Sequence, residues 1–262
     1  MIPAKKRFGQ HFLAPAWADK VIAAIAPHRT DHFLEIGPGP GALTLPLARR
    51  VAHLTAIEID RDLAEELRPR LPPSAEVVVG DILAIDLAPY LAAGALRVAG
   101  NLPYNISSPI LFKLLGLASP NLVDATVMLQ LEVAERLVAR PGTKDYGVLT
   151  IFASAQADIT RLLTLPPGAF RPAPKVHSAV VNLTFKPSVV PAPLFPVFER
   201  MVRMMFMQRR KTLSNALRPF AESVGRESKT ALQSAAIDPV RRPETLDLSE
   251  LVRLAAELAP KA

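Results

Sequence analysis

The 262-residue chain contains no cysteine. Disulfides, thiolate metal sites and cysteine nucleophiles are therefore excluded. So is C5 methylation of a nucleobase, which needs covalent thiolate attack. The five histidines, His11, His28, His32, His53 and His177, show no metal-ligand spacing, and no metal is expected. Long apolar runs are also missing. The least charged stretch, residues 98–123, is interrupted by Pro103, Pro109 and Pro120 and cannot form a membrane helix. The first 13 residues carry Lys5, Lys6 and Arg7 but not the apolar core of a signal peptide. A soluble, cytoplasmic protein without membrane contact is expected.

Two nucleotide-binding signatures are absent as well. Gly37, Gly39 and Gly41 do not satisfy G-x-G-x-x-G, because position 42 is Ala42, and no G-K-[ST] follows.

What is present is a chain that is half hydrophobic, long enough for one large α/β domain plus a small partner. The formal charge is +7, and 21 of the 31 basic residues are arginine. Guanidinium is planar, forked and able to stack, which suits phosphate and base recognition. Between Arg200 and Phe220 there are six basic residues and no acid, which directs the nucleic-acid reading to the C-terminal part.

Strand-like runs at Phe33–Gly37, Leu54–Glu58, Glu76–Val79, Leu96–Ala99 and Ala125–Leu129 alternate with helical patterns at Gly41–Arg50, Arg61–Arg70, Pro109–Leu117 and Gln130–Ala139. This predicts a Rossmann-like α/β domain with a mostly parallel sheet. Runs at Ile159–Leu165 and Ala179–Phe185 predict an antiparallel hairpin that closes the sheet. Pro187, Pro191, Pro193 and Pro196 then mark a linker. Beyond it the patterns are helical only, at Leu194–Met207, Lys211–Glu222, Lys229–Ala235 and Ser249–Leu258. Two domains are expected, 1–186 and a small all-α domain at 187–262.

The first strand ends in Glu35-Ile36-Gly37-Pro38-Gly39-Pro40-Gly41. Ligands of open α/β sheets sit at the carboxyl ends of the strands, and glycines there admit close approach to backbone. This looser loop lacks a pyrophosphate cradle and fits S-adenosylmethionine. Glu58 ends the second strand, where a carboxylate can bridge ribose hydroxyls. Asp60 and Asp62 compete for that role, though both occupy helix-cap positions. Asp81, in Gly80-Asp81-Ile82, is placed to accept from an adenine amino group.

Asn101-Leu102-Pro103-Tyr104 follows the fourth strand. An exocyclic amine is a poor nucleophile, because its lone pair is delocalised into the ring. Hydrogen bonds from its N–H groups to Asn101 Oδ1 and to the Leu102 or Pro103 carbonyl draw the nitrogen toward tetrahedral geometry. They also stabilise the charge that develops during methyl transfer. Tyr104 is a stacking surface for an extruded base. No strong general base is needed, since the amine becomes acidic only after transfer.

These residues resemble a known family. Lys6–Leu13 (KRFGQHFL), Glu35–Gly39 (EIGPG), Asn101–Ile110 (NLPYNISSPI), Phe170–Ser178 (FRPAPKVHS) and Gln208–Leu213 (QRRKTL) are similar, in that order, to segments of the KsgA/RsmA family of rRNA adenine N6-dimethyltransferases. The resemblance implies a class I S-adenosylmethionine-dependent methyltransferase with an antiparallel last strand. Its substrate would be two adjacent adenosines in the 3′-terminal hairpin loop of 16S rRNA on the small ribosomal subunit. His11, Leu13, Gly37, Gly39, Glu58, Asp81, Ile82 and Asn101 would contact the cofactor. Tyr104 and Phe170 would sandwich the target adenine. His11 is a departure, since many members carry Asn there. Lys5, Lys6 and Arg7 in an N-terminal arm, and Arg209, Arg210 and Lys211 on a basic helix, would bind RNA phosphates. A monomer suffices. The rival readings are an Erm-type methyltransferase of large-subunit rRNA and a non-catalytic RNA-binding assembly factor.

Overall fold

The computed structural model describes residues 10–117 and 119–260. Lys5, Lys6 and Arg7 lie outside the described residues. The elements run β1 (Phe12–Leu13), α1 (Pro15–Ile25), β2 (His32–Ile36), α2 (Thr44–Ala48), β3 (His53–Glu58), α3 (Arg61–Leu67), β4 (Ala75–Val79), α4 (Ala88–Ala92), β5 (Leu96–Asn101), α5 (Ser107–Gly116), β6 (Leu122–Gln130), α6 (Leu131–Leu137), α7 (Val148–Gln156), β7 (Ala157–Leu165), β8 (Phe170–Arg171) and β9 (Ser178–Phe185). Four helices follow, α8 (Phe195–Phe206), α9 (Leu213–Ser223), α10 (Ser228–Ser234) and α11 (Leu248–Leu258). The chain divides into two compact units. One contains the residues up to Ala134 together with Asp158–Lys186, and the other contains Glu135–Ala157 and Pro187–Ala262.

The first unit is built on a seven-stranded sheet in the order β4-β3-β2-β5-β6-β9-β7. The strands from β4 to β6 are parallel, and β9 runs antiparallel to β6 from Gln130↔Ser178 to Asp124↔Thr184. Phe33, Leu34 and Ile36 of β2 are buried although successive side chains point to opposite faces, as expected of a sheet covered on both sides. The register pairs Ile36 with Ile57 and with Gly100, and Ile57 with Val78. Four parallel strands therefore end level, and the residues that follow them share one edge of the sheet. Gly100 is required for the close packing of β5 on β2, because a Cβ there would come within 2.5 Å of the Ile36 carbonyl oxygen. At the start of β5, Arg97 binds both oxygens of Asp124 (2.9 and 2.8 Å) and Asp31 (2.7 Å), and also donates to the Ile25 carbonyl. That half-buried charge is therefore paired with two carboxylates.

A separate two-stranded ribbon joins β1 to β8, with Phe12 opposite Arg171 and Leu13 opposite Phe170. The Ala14 N–H extends it by donating to the Ala169 carbonyl at 2.8 Å. These two-residue strands are too short to give a periodic signal and went unread in the sequence. So did α1, although its buried Ala18, Val21, Ile22 and Ile25 keep helical spacing. The first helix after β2 starts later than expected, at Thr44. Gly41 has φ +89°, so the turn does not become helical there.

The second unit is helical. It differs from the expected domain 187–262 by recruiting residues 135–157. The reasons are local: the Gly142 N–H donates to the Glu244 carbonyl (2.7 Å), the Tyr146 hydroxyl to the Leu246 carbonyl (2.8 Å), and Phe152 packs edge-on against Phe195 and Phe198. The helix α7 is apolar nearly all round, with Leu149, Ile151, Phe152, Ala153 and Ala155 buried, so it shows no amphipathic stripe. Gln208–Lys211, expected on a basic helix, form the turn between α8 and α9. Among the described residues no helix is long and apolar enough to cross a membrane, and no cluster of three or more His, Asp or Glu could hold a metal.

Candidate active site

The level strand ends of the first unit open onto a cleft of about 870 Å³, counted to its solvent-open mouth. Its wall includes Gln10–Leu13, Glu35–Pro40, Ile57–Ile59, Gly80–Ile82 and Asn101–Tyr104. Of the sequence-predicted residues, His11, Leu13, Gly37, Gly39, Glu58, Asp81, Ile82, Asn101, Leu102, Pro103 and Tyr104 all meet here.

The glycine loop is held by Glu58. Gly39 adopts φ +54° and donates its N–H to Glu58 Oε2 at 3.0 Å, and Glu58 Oε1 accepts from the Asp60 N–H at 2.9 Å. A Cβ on Gly39 would press to 3.1 Å on the Phe12 ring. Burial raises the Glu58 pKa, and the two backbone donors oppose that rise. Asp60 is settled as a cap: its side chain accepts from the Asp62 N–H at the start of α3. Asp81 Oδ1 accepts from the Leu83 N–H at 2.9 Å, a turn that holds the carboxylate at the cleft wall.

Glu35 received no role of its own in the sequence reading. It is 1% exposed, and its Oε2 has no hydrogen-bond partner. Burial pushes its pKa up to about 8, helped by the Glu58 charge and opposed by the Thr44 hydroxyl. An orphaned carboxyl oxygen in the wall and a glycine loop without Cβ atoms fit a ligand carrying a cationic amino-acid head. The donor set fits S-adenosylmethionine in this respect.

Asn101 ends β5, and its Nδ2 donates to the His11 carbonyl at 2.6 Å. The His11 ring stacks on Tyr104 with centroids 5.3 Å apart and planes at 25°. The Tyr104 hydroxyl is hydrogen-bonded to Ser178 Oγ at 2.6 Å. Burial raises the Tyr104 pKa, so the phenol stays neutral. Ser178 was missed as a site residue, although it closes the Phe170–Ser178 segment.

Two expected site residues are placed otherwise. Phe170 is fully buried in the core cluster with Leu13, Phe33 and Leu165 and is absent from the cleft wall. Its pairing with Leu13 in the β1–β8 ribbon turns the ring inward, so in this structure it does not face Tyr104 across a base. Arg209 is committed within the second unit, to Glu244 (2.7 Å) and the Lys144 carbonyl (2.8 Å), whereas Arg210 and Lys211 are exposed.

A family model described as ribosomal RNA adenine dimethylase matches residues 1–259. Among curated relatives, the ribosomal RNA small subunit methyltransferase A of Acidithiobacillus ferrooxidans is 45% identical over 256 residues, 96% of this chain and 93% of that one. The protein of the same name from Xanthomonas oryzae pv. oryzae is 44% identical over 257 residues, 97% and 95% of the two chains. A dimethyladenosine transferase from Plasmodium falciparum superposes with TM-score 0.77 at 28% identity, covering 93% of this chain and 96% of that one. The 23S rRNA methyltransferase ErmE gives TM-score 0.68 at 27% identity, with 94% and 99% covered. With the family model spanning residues 1–259 and curated relatives 44–45% identical over nearly the whole chain, the chain belongs to the ribosomal RNA adenine dimethylase family and is a methyltransferase enzyme of that family.

Proposed function

We propose that this enzyme transfers methyl groups to N6 of two adjacent adenosines in the 3′-terminal hairpin loop of small-subunit rRNA, in the cytoplasm and as a monomer. The observation that carries the chemistry is the Asn101 carboxamide, oriented by the His11 carbonyl beside Tyr104 at the glycine-loop cleft. S-adenosylmethionine, when bound, supplies an electrophilic sulfonium methyl. Gly37, Gly39, Ile82 and Leu13 shape its cleft, with Glu58 for the ribose hydroxyls and Asp81 for the adenine amino group. Glu35 faces its ammonium.

Asn101 Oδ1 accepts one N–H of the target amine. The Pro103 carbonyl already accepts from the Ile106 N–H at 3.1 Å, which favours the Leu102 carbonyl as the second acceptor. Together they stabilise the positive charge on nitrogen during transfer. Tyr104 stacks on the base. A loop adenosine is a reasonable target, since unstacking it costs less than flipping a paired base. With two methyl groups in place no N–H remains to be accepted, and the reaction stops. The second unit offers Arg210 and Lys211 to rRNA phosphates.

The relatives named for the small subunit, at 44–45% identity over nearly full length, favour this substrate over the large-subunit rRNA of ErmE, at 27%. The test is transfer of label from S-adenosylmethionine to unmethylated small ribosomal subunits, with large-subunit rRNA in parallel and nucleoside digestion afterwards. N6,N6-dimethyladenosine in small-subunit rRNA alone is expected. Label in large-subunit rRNA would reassign the substrate, and no label in either would favour an assembly factor.

A further inference from the structure

We infer that His11 is a positioning residue of the methyl-accepting site, acting through Asn101 and Tyr104; the inference rests on the acceptor roles proposed for those two residues. Three contacts converge on it. Its main-chain carbonyl takes the Asn101 amide at 2.6 Å, its Nδ1 lies 2.8 Å from the Pro172 carbonyl, and its ring stacks on Tyr104.

The chemistry of the partners fixes the direction of each bond. The His11 carbonyl can only accept, so the nitrogen end of the Asn101 carboxamide must face it. A flipped carboxamide would bring two acceptor oxygens to the same short distance. The carbonyl therefore selects the amide orientation that leaves Oδ1 for the target amine. The Pro172 carbonyl likewise only accepts, so Nδ1 carries the proton. That bond ties the residue before β1 to the loop after β8, beyond the reach of the two-residue ribbon. It fixes the peptide whose carbonyl orients Asn101.

The ring acts on Tyr104. With the hydroxyl held by Ser178 and one face covered by His11, the phenol is fixed at its tip and on one side. A target base is left the opposite face. With Phe170 in the core, the His11 ring is stacked on Tyr104 at this corner of the cleft.

Asparagine at this position would place a carboxamide nitrogen at the same bond count from the backbone as Nδ1. It could keep the tie to Pro172 while losing the ring. This separates the two contributions and gives the experiment. His11→Ala, His11→Asn, Asn101→Ala and the double variant His11→Ala/Asn101→Ala are compared by kcat and KM on unmethylated small ribosomal subunits, with cofactor affinity measured by calorimetry on the protein alone. His11→Ala should lower kcat by about tenfold, a larger loss than any in cofactor affinity, because a misplaced acceptor costs the transition state more than binding. His11→Asn should recover part of that loss. The double variant should be slower than Asn101→Ala by clearly less than the loss seen in His11→Ala, since the part acting through Asn101 is already gone and only the ring's part on Tyr104 remains.

Native kcat in His11→Ala, a loss confined to cofactor affinity, or multiplicative losses in the double variant would each overturn the positioning role. A His11→Asn variant as slow as His11→Ala would overturn the tie through Nδ1. Near-native turnover of Asn101→Ala would instead remove the acceptor reading beneath the inference.

Discussion

Replacing Glu35 with glutamine removes one titrating group from the wall of the cofactor cleft and leaves its shape nearly unchanged. The native carboxyl is buried, lacks a partner for Oε2 and has its pKa pushed from 4.5 to about 8. In the unfolded chain it ionises at its ordinary value. Between the two values the folded protein keeps a proton that the unfolded chain has released. Stability must then fall as pH rises through that window, at about 1.4 kcal/mol per pH unit where the two states differ by one proton. Integrated up to the folded value, Glu35 costs about 5 kcal/mol. Glu58 is shifted in the same direction by burial, but it is present in both proteins and cancels in the comparison. Denaturant unfolding of cofactor-free native protein and Glu35→Gln, across the range from about pH 5 to about pH 8, is the assay. The stability of the variant relative to native should climb steadily with pH and level off above the folded pKa. A difference that stays constant over this range would refute the reasoning, because it would mean that Glu35 titrates alike in both states. Saturating cofactor should flatten the climb, if its ammonium is the partner that the carboxylate lacks.

Asn101→Ala should lower kcat by about 10²-fold or more with a smaller loss of rRNA affinity, as measured by steady-state transfer and equilibrium binding; near-normal turnover would sink its acceptor role. Phe170→Ala should destabilise the fold by about 3–5 kcal/mol in denaturant unfolding, since the ring is a fully buried core element, and a variant of native stability with poor turnover would restore the stacking role. Charge reversal at Arg210 and Lys211 should weaken rRNA binding and flatten its salt dependence by about two phosphate contacts. Arg209→Ala should instead lower the melting temperature, because its guanidinium is bonded to Glu244 and Lys144.

The alternation of apolar runs with amphipathic segments determined the α/β architecture, because a parallel sheet with covered faces can be assembled in few ways. The motif at each strand end was legible for the same reason: Glu35–Gly41, Glu58, Asp81 and Asn101–Tyr104 each terminate a run, and parallel strands bring their ends to one edge. Asn101-Leu102-Pro103-Tyr104 alone suggested the chemistry of an exocyclic amine, the reading on which the proposed function rests. Other features depended on contacts far apart in sequence. Two-residue strands carry no period, so only the folded chain shows that Leu13 pairs with Phe170 and turns that ring into the core. Residues 135–157 have no marker of membership in the helical unit, because their ties to Glu244 and Leu246 span about a hundred residues. Arg209 and Arg210 are adjacent and chemically alike, yet Arg209 meets the half-buried Glu244 carboxylate while Arg210 is exposed. Above all, the orientation of the Asn101 amide is set by a carbonyl ninety residues away. Composition and spacing could name the groups that meet at the cleft; how each side chain is held there was decided by tertiary packing, since a side chain's direction depends on partners that local sequence does not contain.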